Sequence, residues 1–253
     1  MSGLVLRNIS MRFAGLLALD DVAFNIGKGL VTSLIGPNGA GKTTLVNVIT
    51  GILRPTSGQV SFNGGDIAGL SSLKIARAGI RRTFQQVRLF DGLTVRENLI
   101  VSQQYELSKT GFWHCLLPGG FGGGSFAAEA DRLLAMFGLQ ANADVLAGDL
   151  SFGDQRRVEI ARALAGSPSL ILLDEPAAGM NDVETEQLRQ DIEAIKRNGV
   201  TVFLIEHDMS LVMSVSDRVV VLNFGRKIAE GTPAEVQANP AVIDSYLGSE
   251  DDD

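Results

Sequence analysis

The first 65 or so residues alternate short apolar runs with turn residues. LVLRNIS (4–10), DVAFNI (21–26), LVTSLI (30–35) and QVSFNG (59–64) each predict a strand. GIRRTFQ (79–85) predicts one more, ending in Gln85. Beyond it the apolar period lengthens. LTVRENLIVSQQYEL (93–107) predicts a helix with Thr94 as N-cap and Glu97 completing a capping box. AAEADRLLAMFGL (127–139) carries apolar residues at helical spacing and stops at Gly138. From residue 150 helices and strands alternate. FGDQRRVEIARALAG (152–166) and VETEQLRQDIEAIKRNG (183–199) predict helices, SLILLDEP (169–176) and VTVFLIEHD (200–208) buried strands, and residues 218–231 a hairpin about Gly225. Strands that are apolar almost throughout, joined by helices, imply an α/β protein whose parallel sheet is covered on both faces.

Composition narrows the partners. The chain of 253 residues has a formal net charge of −7, which argues against nucleic acid as the main partner. Its single cysteine, Cys115, excludes an internal disulfide and fits a reducing compartment. The opening MSGLVLRNISMRF lacks the long apolar core of a secretory signal. Residues 110–128 are uncharged and nearly reach the ~20 residues that a spanning helix needs. Six glycines and Pro118 break that stretch, so it predicts a loop in a cytosolic or membrane-peripheral protein. The wider interruption, 104–127, holds Trp113 and is expected to contact a partner.

The chemistry centres on GPNGAGKTT (36–44), which satisfies G-x-x-x-x-G-K-[ST] between a predicted strand and a predicted helix. A triphosphate can be wrapped by backbone N–H groups only where side chains stay clear. Gly36, Gly39 and Gly41 permit that, with Pro37, Asn38, Ala40 and Thr44 completing the loop. The helix start turns free N–H groups toward the phosphates, Lys42 adds a mobile cation, and the Thr43 hydroxyl suits Mg²⁺. LILLDEP then brings Asp174, the Mg²⁺-side acid, and Glu175, placed to polarise a water, to a strand's carboxyl end. His207 ends another strand, Gln85 suits both Mg²⁺ and a water, and Phe13 could stack on a purine ring. LSFGDQRR (150–157) offers Ser151 and Gly153 at a helix start, a second anion site in one chain. Two such sites for one triphosphate predict a two-fold dimer, each nucleotide held between the P-loop of one subunit and LSFGD of the other.

Taken in order, GPNGAGKTT, Gln85, LSFGD, LILLDEP, AGMN and EHD resemble an ABC-type ATPase subunit over residues 1 to about 248. The resemblance implies a P-loop NTPase fold in a single domain over 1–253, with an N-terminal antiparallel β subdomain. The nucleotide-binding core and β subdomain would take 1–88 and 162–240, a helical subdomain with the signature 89–161, and a tail 241–253. It makes Phe13 the adenine-stacking aromatic, Gln85 the lever toward a membrane partner, Glu175 the catalytic base, 177–181 the dimer-facing loop and His207 the γ-phosphate sensor. RTFQQVRLFDGLTVRENL, EHDM and the stretch from Gly225 to Gly248 resemble the branched-chain amino-acid importers more closely. ATP, Mg²⁺, membrane-spanning permease subunits, a second ATPase subunit and, indirectly, a periplasmic solute-binding protein are then implied, at the cytoplasmic face of the membrane. Urea or amide importers are the alternative cargo class. A soluble ABC ATPase on nucleic acid or ribosomes would need basic surfaces, and a P-loop kinase would not need LSFGD. One position departs from the family: Asp154 stands where the signature usually has glutamine, and its carboxylate is expected to oppose a bound nucleotide.

Overall fold

The structure is a computed structural model that describes residues 2–83, 88–103 and 124–247. Gln85, residues 104–123 of the 104–127 interruption (Trp113, Cys115 and Pro118 among them) and the acidic SEDDD tail lie outside the described residues.

Two sheets stack. In the smaller, β1 (Ser2–Phe13), β2 (Leu16–Gly27), β4 (Ser57–Phe62) and β5 (Gly65–Asp66) run antiparallel in the order β2-β1-β4-β5. β1 continues three residues beyond the predicted Ser10, because register shifts keep it paired as far as Phe13 opposite Leu16. The larger sheet comprises β3 (Val31–Ile35), β6 (Ile80–Arg82), β7 (Leu170–Asp174), β8 (Thr201–Ile205), β9 (Arg218–Asn223) and β10 (Arg226–Gly231). Its order is β10-β9-β3-β8-β7-β6, parallel from β9 to β6, with β10 antiparallel at the edge. The P-loop strand β3 therefore sits inside the sheet, between β9 and β8.

Every residue of β3, β7 and β8 is buried, and the pleat sorts them. Leu170, Leu172, Phe203 and Ile205 face a core shared with the smaller sheet and with α1 (Lys42–Ile49). Ile171, Leu173, Val202 and Leu204 face the opposite core, built with α3 (Val95–Ser102), α4 (Gly124–Met136), α5 (Phe152–Leu164), α6 (Asp182–Arg197) and α7 (Met209–Val215). The short helix α2 (Ser72–Arg77) leads into β6. At the β9–β10 edge a third cluster joins Ile35, Val219 and Val221 to α8 (Pro233–Gln237) and α9 (Pro240–Leu247) through Val236, Val242 and Tyr246. Among the described residues no helix is long and apolar enough to cross a membrane.

Local signals set the helix starts. The Thr94 hydroxyl accepts the Glu97 N–H at 3.2 Å, and Glu97 accepts the Thr94 N–H at 2.8 Å. Asn181 and Glu184 form the same reciprocal cap on α6. The sheets themselves are joined by aromatic packing: the rings of Phe24 on β2 and Phe203 on β8 lie 6.0 Å apart. Phe203→Ala should lower the unfolding free energy by about 3–5 kcal/mol, read from guanidinium titration, because the fully buried ring leaves a void between the layers.

Candidate functional site

Parallel strands deliver their carboxyl ends to one edge, and β3 turns there into the P-loop. Gly36, Gly39 and Gly41 all have positive φ, at 150°, 77° and 98°. A Cβ on Gly36 would collide with the Leu222 carbonyl, and one on Gly41 would stand 2.7 Å from the Ala18 carbonyl. Glycine is thus required both for the turn and for the close backbone approach. Gly41 caps α1 without any side-chain hydrogen bond, and the first turn of α1 holds no acidic residue. Its leading N–H groups are available to an anion. Lys42 folds back, with Nζ donating to the carbonyls of Gly36 at 2.6 Å and Pro37 at 3.0 Å. Burial lowers its pKa, opposed by the fields of Glu175 and Asp174.

A cavity of about 400 Å³ opens over this loop. Asn38 to Thr44, with Lys42 and Thr43 among them, make its floor, and Glu175 reaches it from β7. Phe13 and Leu16, both exposed, and Phe224 form an apolar wall. Phe224, at the tip of the β9–β10 hairpin, has φ 44° and is 86% exposed. Sequence reading missed it as a site residue: beside a glycine it looks like an ordinary hairpin residue. Ile35, the last residue of β3, shares a buried cluster with Tyr246 of α9. Burial raises the pKa of its hydroxyl, and the Gly36 backbone amide opposes that.

Asp174 ends β7 almost fully buried and pairs with Arg82 at 2.7 Å, while Arg82 also donates to Asn47 of α1 at 2.7 Å. Asp174 is thus linked through Arg82 to the helix that carries Thr43. Arg82 was not anticipated; only the strand order places it next to Asp174. Glu175 follows with φ 48°, a left-handed conformation uncommon for a residue with a Cβ. His207 leaves β8 at the same sheet edge, but its side chain is 68% exposed and does not line the cavity. Among the described residues no three His, Cys, Asp or Glu side chains group to hold a metal. A hydroxyl and a carboxylate are donors that a hard cation takes; Thr43 lines the cavity, whereas Asp174 does not and has Oδ2 on Arg82.

Ser151 and Gly153 lie outside this cavity, at the start of α5. The exposed Ser151 hydroxyl accepts the Asp154 N–H at 3.1 Å, and Gly153 is buried against Glu184. Asp154 has a partner within its own subunit. Its carboxylate turns along α5 to Arg157 at 3.2 Å, and Arg157 also holds the buried Asp191 at 2.7 Å and the Phe137 carbonyl. One guanidinium is thus shared between two carboxylates, Asp154 at the helix start and Asp191.

These features meet sequence comparison at one point. The profile of the family described as "ABC transporter" matches residues 19–178. The chain belongs to the ABC transporter family. A second profile, "Branched-chain amino acid ATP-binding cassette transporter", matches residues 226–252 of this cassette. The cassette is 45% identical over 249 residues to the high-affinity branched-chain amino acid transport ATP-binding protein LivG of Escherichia coli strain K12, covering 97% of each chain. Among solved structures it resembles the ADP conformation of MJ1267, an ATP-binding cassette of an ABC transporter. That match has a TM-score of 0.87 and 34% identity, and covers 98% of this chain and 99% of that one. It also resembles the dimeric post-hydrolysis state of the cassette MJ0796 bound to ADP and Pi, with a TM-score of 0.74 and 28% identity over 91% and 98% of the two chains.

Two variants check the geometry of this ABC cassette. Gly36→Ala should weaken ATP binding by at least about tenfold, or ~1.4 kcal/mol, in a calorimetric titration. Asp154→Gln should lower the ATP concentration needed for half-saturation, since it removes a carboxylate that shares its guanidinium partner with Asp191. It should also lower unfolding free energy by about 0.3–1 kcal/mol through loss of an acid in the first turn of α5.

Proposed function

We propose that this chain is the ATP-binding and ATP-hydrolysing subunit of an importer for branched-chain amino acids. The observation that carries the reading is the division of the site. The P-loop, the apolar wall and Glu175 line one cavity, while the helix start at Ser151 and Gly153 opens outside it. That division supports a nucleotide held between the P-loop of one subunit and the signature of another. The dimeric form of MJ0796 with ADP and Pi supports the same reading by similarity. LivG's name and the profile over residues 226–252 support branched-chain amino acids as the cargo of the complex. The cassette would work at the cytoplasmic face of the membrane, with permease subunits, a second cassette of the same or homologous sequence and, through the permease, a periplasmic solute-binding protein.

Each residue then has a task. Phe13, with Phe224 beside it, offers a face to the adenine. The N–H groups from Gly36 to Thr44 and the Lys42 ammonium hold the phosphates. To reach them, Lys42 leaves the two carbonyls to which it now donates. Thr43, Asp174 and Gln85 would hold Mg²⁺, which when bound offsets phosphate charge and polarises the bond to be broken. Glu175 takes a proton from the attacking water as the general base. His207, exposed at the same sheet edge with Nδ1 3.8 Å from Glu206 Oε2, would turn toward the terminal phosphate once a nucleotide and a second subunit close the site. Ser151 and Gly153 of that second subunit complete the phosphate shell.

Glu175→Gln should retain ATP binding and lose turnover by about 10²- to 10⁴-fold. With hydrolysis blocked, size-exclusion chromatography with ATP should show a larger species than without it, alone or with the companion cassette. Near-normal hydrolysis by the purified variant would remove Glu175 from the mechanism. In the reconstituted complex, stimulation of ATPase by leucine, isoleucine or valine, and not by urea, tests the cargo.

A further inference from the structure

Glu206 closes β8, and its side chain has no exposed surface. A carboxylate in such a place is costly unless its oxygens are fully engaged. They are. Oε1 accepts the Ala177 N–H at 2.8 Å. Oε2 accepts the His207 N–H at 3.0 Å and the Asp208 N–H at 3.4 Å.

The arrangement of these partners is informative. Ala177 lies in the turn that leaves β7, two residues after Glu175. His207 and Asp208 begin the turn that leaves β8. One carboxylate therefore fastens both turns, one oxygen to each. A backbone bond supports it on the near side, where the Glu175 N–H donates to the Ile205 carbonyl at 2.9 Å. Glu175, with its uncommon φ of 48°, is thus bracketed by the Ile205 carbonyl before it and the Glu206 carboxylate after it. Only a carboxylate serves here. An amide of the same size offers one acceptor and one donor, and its donor would face a backbone N–H on one of the two turns.

We propose that Glu206 is a positioning residue for ATP hydrolysis: it holds the turn bearing Glu175 and the turn bearing His207 in one fixed relation. Displacement of either turn is then passed to the other through a single side chain. The inference rests on the reading of Glu175 as the base that activates water. Glu206 does not line the nucleotide cavity, so its effect falls on turnover and not on ATP binding.

The test compares the full-length chain with Glu206→Gln and Glu175→Gln, using ATP hydrolysis and binding of a fluorescent ATP analogue. Glu206→Gln should lower kcat about 10- to 100-fold, as expected when a reacting group is misplaced by an ångström or less. KM and analogue affinity should stay within about twofold, the signature of an interaction used in the transition state. Unchanged kcat in folded Glu206→Gln, with Glu175→Gln inactive, overturns the inference and leaves the role of Glu175 standing. Full activity in Glu175→Gln overturns the reading beneath it. Equal losses of binding and turnover in Glu206→Gln point to a general folding role and also overturn the proposal. If Glu206→Gln does not fold, hydrogen exchange on the unmodified chain decides. The amides of Ala177, His207 and Asp208 should exchange together and more slowly than that of Gly179 in the same turn; fast exchange at Ala177 and His207 overturns the proposal.

Discussion

Backbone meeting backbone, with no room for a side chain between, governs this structure. Where β3 ends, the first P-loop glycine passes hard against the Leu222 carbonyl, and the loop is locked to the β9–β10 hairpin by a hydrogen bond from the Gly225 N–H to the Ala40 carbonyl at 3.0 Å. The hairpin is locked in turn to β2, where the Asp20 N–H donates to the Gly225 carbonyl at 2.8 Å. Three segments far apart in the chain thus share one tight junction. The apolar wall of the nucleotide cavity, Phe13 and Leu16 from one sheet and Phe224 from the other, is held in register with the phosphate loop by this junction. A loop that had to fold around phosphates without such backing would lose much of its affinity to ordering.

Charge is handled by the same economy of position. Inside the helical layer the buried Arg157 answers two acids, Asp154 and Asp191, and a main-chain carbonyl. It ties the start of α5 to α6 and to the end of α4. Removing one member of such a set would leave another buried and uncompensated, which is why these sets hold elements in place more than they add stability.

Much of this was readable from residue order. Strands buried on both faces must be apolar throughout, so LVTSLI, LILLD and VTVFLI announced a covered parallel sheet. Thr94 with Glu97 announced the start of α3, because capping is a contact between residues three apart. The phosphate loop was legible for a similar reason: its glycines and lysine act within nine consecutive positions. What stayed hidden depends on pairing across the chain. Arg82 meets Asp174 only because β6 lies beside β7. Phe224 becomes a cavity wall only because β9 lies beside β3. Glu206 reads as a polar strand end until Ala177 is seen beside it.

The place of β3 in the sheet has a consequence for synthesis. Its neighbours on both sides are β8 and β9, and the Val31 N–H, near the head of the chain, donates to the Asp217 carboxylate 186 residues later. A growing chain therefore carries the complete phosphate-loop motif until β8 and β9 are made, with neither flanking strand to hold it. At about 5–20 residues per second, that interval lasts roughly ten to forty seconds. During it, β3 has an apolar strand's tendency to pair with whatever edge is near, and nothing yet to pair with correctly. The phosphate loop is written long before the strands that hold it in place.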